Sequence, residues 1–194
     1  VMMEPDDFKY RHNIEVRTLS EVTEIRRGEK QVVVHDLSSG KEYTESYDKL
    51  VLATGASPVV PTSIQGVNAP HVFTIRNVTD VCKAKDYIDA VGAQNIVVAG
   101  AGFVGVEVAE NLKSVGKNVS IVEGADQVMA PFDYDMAQYL HKELMDQGIH
   151  LHLSSMVTAI TDKSVVAVKN GQTVEIPAEA VILSIGVRPE TGLA

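Results

Sequence analysis

The sequence predicts an α/β protein: a parallel sheet with helices on both faces, together with an antiparallel β-meander. Three features carry that expectation. From Asn95 onward, short apolar strands alternate with helix-length segments. A G-x-G-x-x-G run stands where one of those strands becomes a helix. A strand pattern in the first third of the chain also recurs near its end.

The first third reads as β structure, with β-branched and apolar runs at Ile14–Thr18, Glu21–Ile25, Gln31–Asp36 and Lys49–Thr54. Gly28 and Ser38-Ser39-Gly40 supply the turns between them. Pro58, Pro61 and Pro70 mark an extended connector. Val78–Val91 then turns helical in period, with Asn77 or Thr79 as N-cap and Gly92 as the stop. Next come a strand at Asn95–Ala99, a helix at Phe103–Val115 closed by Gly116, and a strand at Val119–Val122. Asp133 is placed to cap a helix running to Gln147 and stopped by Gly148. His150–Leu153 alternates as a strand does, and further strands follow at Val157–Thr161, Val165–Lys169, Thr173–Ile176 and Ala180–Ile185. Strands alternating with helices of this length imply a parallel sheet covered on both sides.

The two meanders align as an internal repeat. Val22-Thr23-Glu24-Ile25 matches Val157-Thr158-Ala159-Ile160 at an offset of 135 residues. The run from Lys49 to Gly55 and Pro58 matches that from Ala180 to Gly186 and Pro189, with the glycines 131 residues apart. In the second copy a βαβ unit precedes the meander, whereas the first copy has only some twenty residues before it. Val1 is therefore expected not to be a native start, and the chain to be an excised piece of a longer protein.

Composition narrows the function classes. The chain has 194 residues, 45% hydrophobic and 22% charged, which excludes disordered, collagenous and coiled-coil readings. A net charge of −9 and no basic run beyond Arg26-Arg27 argue against a nucleic-acid partner. The single cysteine, Cys82, rules out an intrachain disulfide and fits a reducing compartment. Apolar runs are too short to span a bilayer, and the acidic opening is unlike a leader, so a cytoplasmic location without membrane contact is expected.

The chemistry is carried by Gly100-Ala101-Gly102-Phe103-Val104-Gly105, between a strand and a helix, with Glu123 closing the next strand. Asn95 to Glu123 spans 29 residues, close to the roughly 30 of a mononucleotide-binding βαβ unit. Gly100 allows a tight turn, Gly102 lets backbone approach a pyrophosphate, and Gly105 lets helix pack on strand. The diphosphate would rest on N–H groups at the positive end of the helix. Glu123 would accept hydrogen bonds from the adenosine ribose and repel a 2′-phosphate, and Gly124-Ala125-Asp126 offers no cation, which favours NAD(H) over NADP(H). Glu107, read as lying on the first helical turn, is equally accounted for as a helix-dipole partner. His150 and His152 read as the solvated face of a strand, no metal site is expected, and Cys82 reads as packing.

These residues resemble the FAD- and NAD(P)-dependent pyridine nucleotide-disulfide oxidoreductases, within them the NADH oxidase, coenzyme A-disulfide reductase and persulfide reductase branch. The likeness rests on Tyr47–Pro58, Val97–Glu107, Pro131-Phe132-Asp133 and Val181–Pro189, and covers essentially the whole chain. Thr74-Ile75-Arg76-Asn77 and Ser184–Pro189 favour that branch. The resemblance implies that residues 1–74 belong to an FAD domain, 75–183 to an NAD(H) domain and 184–194 to the return toward FAD. It implies that Val22, Thr54 and Gly55 lie by FAD, and that Phe103, Val104, Glu107, Ile185 and Gly186 join the glycines and Glu123 around NADH. It also implies hydride transfer from NADH through FAD to a thiol-derived disulfide, a persulfide or oxygen, in a homodimer formed through a C-terminal domain.

The departures are as informative. A first glycine fingerprint, the redox cysteine and the dimerisation domain have no counterpart, so the chain is expected to keep an NADH fold and to be inactive alone. A non-catalytic NAD(H)-sensing module remains an alternative. A self-contained dehydrogenase is the weaker one, since no Tyr-x-x-x-Lys pair accompanies the fold.

Overall fold

The structure, a computed structural model, describes residues 3–194. They form two compact units: residues up to Gly55 with Pro189–Ala194, and Ala56–Arg188. Both expected functional boundaries, at 74 and 183, lie inside the second unit.

The first unit opens with helix α1 (Pro5–His12) and continues into β1 (Ser20–Arg26), β2 (Gln31–Asp36) and β3 (Lys41–Ser46), an antiparallel sheet in the order β1-β2-β3. Asp36 makes the β2–β3 turn: its carboxylate accepts from the hydroxyls and backbone N–H groups of Ser38 and Ser39, which draws its pKa down to about 2. Two expected strands are corrected. Ile14–Thr18 forms no strand, because Leu19 turns the chain at φ 52° just before β1 enters its ladder. Lys49–Thr54 pairs with no strand among the described residues and leaves Val51 85% exposed. Lys41–Ser46, too polar to be read as a strand, is the third member of the meander instead; edge pairing needs backbone, not apolar side chains.

The second unit begins with β4 (Ala56–Pro58), β5 (Val72–Thr74), α2 (Val78–Val91), β6 (Asn95–Ala99), α3 (Phe103–Ser114), β7 (Asn118–Val122), α4 (Tyr134–Asp146) and β8 (His150–His152). It ends with β9 (Met156–Ile160), β10 (Ser164–Lys169), β11 (Gln172–Pro177), β12 (Ala180–Leu183) and β13 (Val187–Pro189), the last paired with β4. The central sheet has the order β5-β12-β6-β7-β8 and is parallel throughout. Asn77 caps α2 by accepting from Asp80 N–H while the Asp80 carboxylate takes Asn77 N–H, and Gly92 ends the helix in the left-handed region. Cys82 is exposed on α2, a correction to its reading as packing. The inward stripe is Ala84 and Ile88, and a residue two positions from Ala84 faces nearly the opposite way.

The sheet is buried on both faces, by different partners. Ile96, Val98, Ile121 and Ile182 face the helices, packing with Ala84, Ile88, Ala109 and Leu144. Val97, Ala99, Val181 and Leu183 face the other way, onto Ile160, Val165, Ala167 and Ile176 of β9–β11. The expected helices on both faces are thus corrected to helices on one face and the antiparallel meander on the other. The α/β class stands, and a meander meets the same requirement as a second helical layer, because it too presents an apolar face.

The repeat has a structural signature. In β1 the register slips at Thr23, between the Val22–Val34 and Glu24–Val33 pairs. In β9 it slips at Thr158, between the Val157–Ala167 and Ala159–Val166 pairs. Thr23 and Thr158 are 135 residues apart, the offset of the aligned sequences, so the two meanders share even their β-bulge. Among the described residues no helix is long and apolar enough to cross a membrane.

A candidate dinucleotide site at three strand ends

Open α/β sheets bind ligands outside the carboxyl ends of their strands. Here β12, β6 and β7 lie side by side and end in Ser184-Ile185-Gly186, Gly100-Ala101-Gly102 and Glu123-Gly124. A cleft of about 690 Å³ runs along these ends. Val59, Pro61 and Ile64 of the connector, Ala130 and Pro131 after β7, and Ser155–Val157 before and in β9 complete its walls. Val59 N–H donates to Gly186 O at 3.0 Å, which ties the connector to the end of β12.

The glycines divide their tasks. Gly100 has φ +103°, and a Cβ there would lie 2.2 Å from the Ser184 carbonyl oxygen, so the turn passes against the end of β12. A Cβ on Gly105 would lie 2.1 Å from Gly100 O, so α3 sits directly on the turn. Gly102, the N-cap of α3, has nothing within 4 Å of a Cβ position, leaving open space in front of the helix start. The first N–H groups of a helix lack intrahelical acceptors, which suits that space to an anion.

Glu123 is half-buried and engaged on both oxygens. Oε2 accepts Ala101 N–H at 2.7 Å and Oε1 accepts Ala125 N–H at 2.8 Å. Its backbone joins neighbouring segments, donating to His152 O and accepting from Ser155 N–H. The loop after β7 is pinned twice: Met129 N–H donates to Ala101 O at 2.8 Å, and Val128 N–H donates to Nε2 of His141 on α4 at 3.0 Å. His141 is 7% exposed, and burial pushes its pKa below the ordinary imidazole value, opposed by the charge of Asp126. At the rim Phe103 meets Phe132 edge to face, with ring centres 6.1 Å apart.

Of the residues expected around NADH, the cleft gathers Gly100, Gly102, Phe103, Glu123, Ile185 and Gly186 along its walls. Gly105 is buried behind them, while Val104 and Glu107 are exposed on α3 and outside that lining. Glu107 is the fifth residue of α3, in its second turn and not its first, where the helix dipole has little hold on it. Of the residues assigned to FAD, Val22 lines a concavity of about 320 Å³ with Val32, Val34 and Tyr43. Thr54 and Gly55 lie outside that lining and bind the chain's tail: Thr54 Oγ1 donates to Glu190 O at 2.5 Å, and Gly55 O accepts Glu190 N–H at 2.9 Å. The concavity beside Val22 therefore does not include the other two. Sequence reasoning missed Ala101, Met129, Ser184 and His141; the first three act through backbone atoms, which leave no residue-type signal.

The family model described as pyridine nucleotide-disulphide oxidoreductase matches residues 6–194. An NADH oxidase of Methanocaldococcus jannaschii is 35% identical over 100% of this chain and 43% of its own length. The solved NAD-dependent persulfide reductase from A. fulgidus is 36% identical with a TM-score of 0.81, covering 97% of this chain and 35% of that one. The water-forming NADH oxidase from Lactobacillus brevis, solved bound to NADH, is 32% identical with a TM-score of 0.75, covering 98% and 42%. The chain therefore spans less than half the length of each of these relatives. With the family match running over nearly all of it, the chain belongs to the pyridine nucleotide-disulphide oxidoreductase family.

Proposed function

We propose that residues 75–183 form an NAD(H)-binding domain whose cleft holds NADH, with residues 1–74 and 184–194 contributed to an FAD domain. The observation that carries this is the glycine turn: Gly100 and Gly105 have no room for a Cβ, whereas Gly102 faces open space at the start of a helix, inside a cleft of about 690 Å³. That cradle fits a dinucleotide. The pyrophosphate would rest on the N–H groups at the start of α3, and Glu123 would face the adenosine ribose. Ile185 and Gly186 would lie toward the nicotinamide, which supplies a hydride when bound. Phe103 lines the same wall, and Val104 and Glu107 are proposed to approach the ligand from α3.

The whole protein is proposed to be an FAD-dependent NADH oxidoreductase delivering electrons to a disulfide, a persulfide or oxygen. The names of its relatives support that range, and Val22, Thr54 and Gly55 are the proposed FAD contacts. This chain by itself is expected to bind NADH without turning it over. Its single cysteine, Cys82, is on the exposed side of α2 and outside the cleft lining, so no thiol stands at the proposed hydride site. Calorimetric titration with NADH, followed by an NADH-consumption assay with added FAD and an oxidised thiol, tests both statements. Saturable binding without consumption is expected; turnover at an enzyme-like rate would contradict the second statement, and absence of binding the first.

A further inference from the structure

The contacts of Glu123 point beyond ribose recognition. Its two carboxylate oxygens each take a backbone N–H, one from Ala101 and one from Ala125. Ala101 is the residue between Gly100 and Gly102 and is 1% exposed, and its carbonyl is held by Met129 N–H. The glycine turn is thus clamped on both sides of a single residue. An N–H this deeply buried has no water to turn to, so it depends on the acceptor it has. Two donors on two oxygens require an acceptor at each position. A carboxylate supplies that, whereas a glutamine would set its NH₂ group against one of the N–H donors.

We propose that Glu123 is a positioning residue for the pyrophosphate cradle: through Ala101 N–H it fixes the peptide planes of Gly100–Gly102, and with them the N–H groups at the start of α3. This rests on the reading of the cleft as an NADH site, and it makes ribose recognition and phosphate binding depend on one side chain. If the carboxylate acted only through the adenosine ribose, removing both ribose hydroxyls would remove its effect. If it acts through the turn, the effect survives that removal.

The test has two parts on the 194-residue chain. In the ligand-free protein, amide hydrogen exchange by NMR should show Ala101 N–H protected. Glu123→Gln should lower that protection at Ala101 and Ala125 while Val97 and Val98 in β6 keep theirs. In titrations, Glu123→Gln should weaken NADH about tenfold, equivalent to about 1.4 kcal/mol, and weaken the 2′,3′-dideoxyadenosine analogue of NADH by the same factor. Unchanged exchange at Ala101, or a loss that disappears with the 2′,3′-dideoxy ligand, would overturn the proposal. Should the variant not fold, the wild-type exchange decides: an Ala101 amide exchanging as fast as an exposed one overturns the proposal, and a protected one supports it. A wild-type chain that fails to bind NADH refutes the NADH reading and leaves the exchange result to judge the role of Glu123.

Discussion

Three glycines within six residues play different parts, and substitution should separate them. Gly100→Ala and Gly105→Ala each place a methyl about 2 Å from a backbone oxygen, an overlap that a packed turn relieves only by moving. Each should destabilise the chain by about 1–3 kcal/mol, read from the shift of the urea unfolding midpoint. Gly102→Ala meets nothing in the protein, so it should leave stability within about 0.5 kcal/mol and still abolish measurable NADH binding. Loss of stability in Gly102→Ala, or undiminished binding, would show that the space in front of α3 is not where the ligand goes. Gly100 and Gly105 were legible because each reports a close backbone approach that leaves no room for a Cβ, and Gly102 because the motif puts it where backbone would approach a ligand. Ala101, which Glu123 grips, was not legible, since an alanine whose N–H matters looks like any other alanine. Glu107 shows the opposite hazard: its place in the second turn of α3 removes the dipole explanation offered for it.

At the level of elements, α4 holds the loop of the cleft through a neutral histidine. Nε2 of His141 can accept Val128 N–H only while unprotonated, with the ring proton on Nδ1. Its pKa is lowered in the folded chain, so the unfolded chain binds more protons below the ordinary imidazole value of about 6.5. The stability tied to neutral His141 is therefore complete above that pH and falls away as pH drops through the lowered folded value. Urea unfolding between pH 7.5 and 5 should show this decline, and His141→Gln, which keeps an acceptor, should flatten it. An equal pH slope in both proteins would refute the assignment. The N-cap of α2 makes a simpler case: Asn77→Ala removes the acceptor for Asp80 N–H and should lower stability by about 1 kcal/mol. The bounds of α2, α3 and α4 were legible because caps and left-handed glycines are local signals, whereas α1, which buries no residue and so shows no apolar stripe, was not read as a helix. Lys49–Thr54 was misread because the same kind of apolar run becomes a strand only where neighbours exist. Its repeat partner Ala180–Leu183 is wholly buried between β5 and β6, whereas Lys49–Thr54 has no such flanks among the described residues.

Across the molecule, β6, β7, β8 and β12 of the parallel sheet followed from apolar runs and alternation, whereas the edge strand β5, three residues long, was not read as a strand. The layer on the second face did not follow either, because an antiparallel meander and a helical layer satisfy the same apolar run in a central strand. The shared β-bulge at Thr23 and Thr158 supports the view that one strand pattern is used twice, once over the parallel sheet and once in the separate unit. The family relationship extends over the whole of this pattern, and the relatives are more than twice as long. What we propose for this chain itself is to hold NADH at the ends of β12, β6 and β7, and to prefer it to NADPH because Glu123 in that reading faces the position of the 2′-phosphate. Calorimetric titration of the purified chain with both nucleotides tests that claim most directly. One NADH per chain, with NADPH at least about tenfold weaker, is the predicted result. Equal affinity for the two, or no saturable binding of NADH, would contradict it.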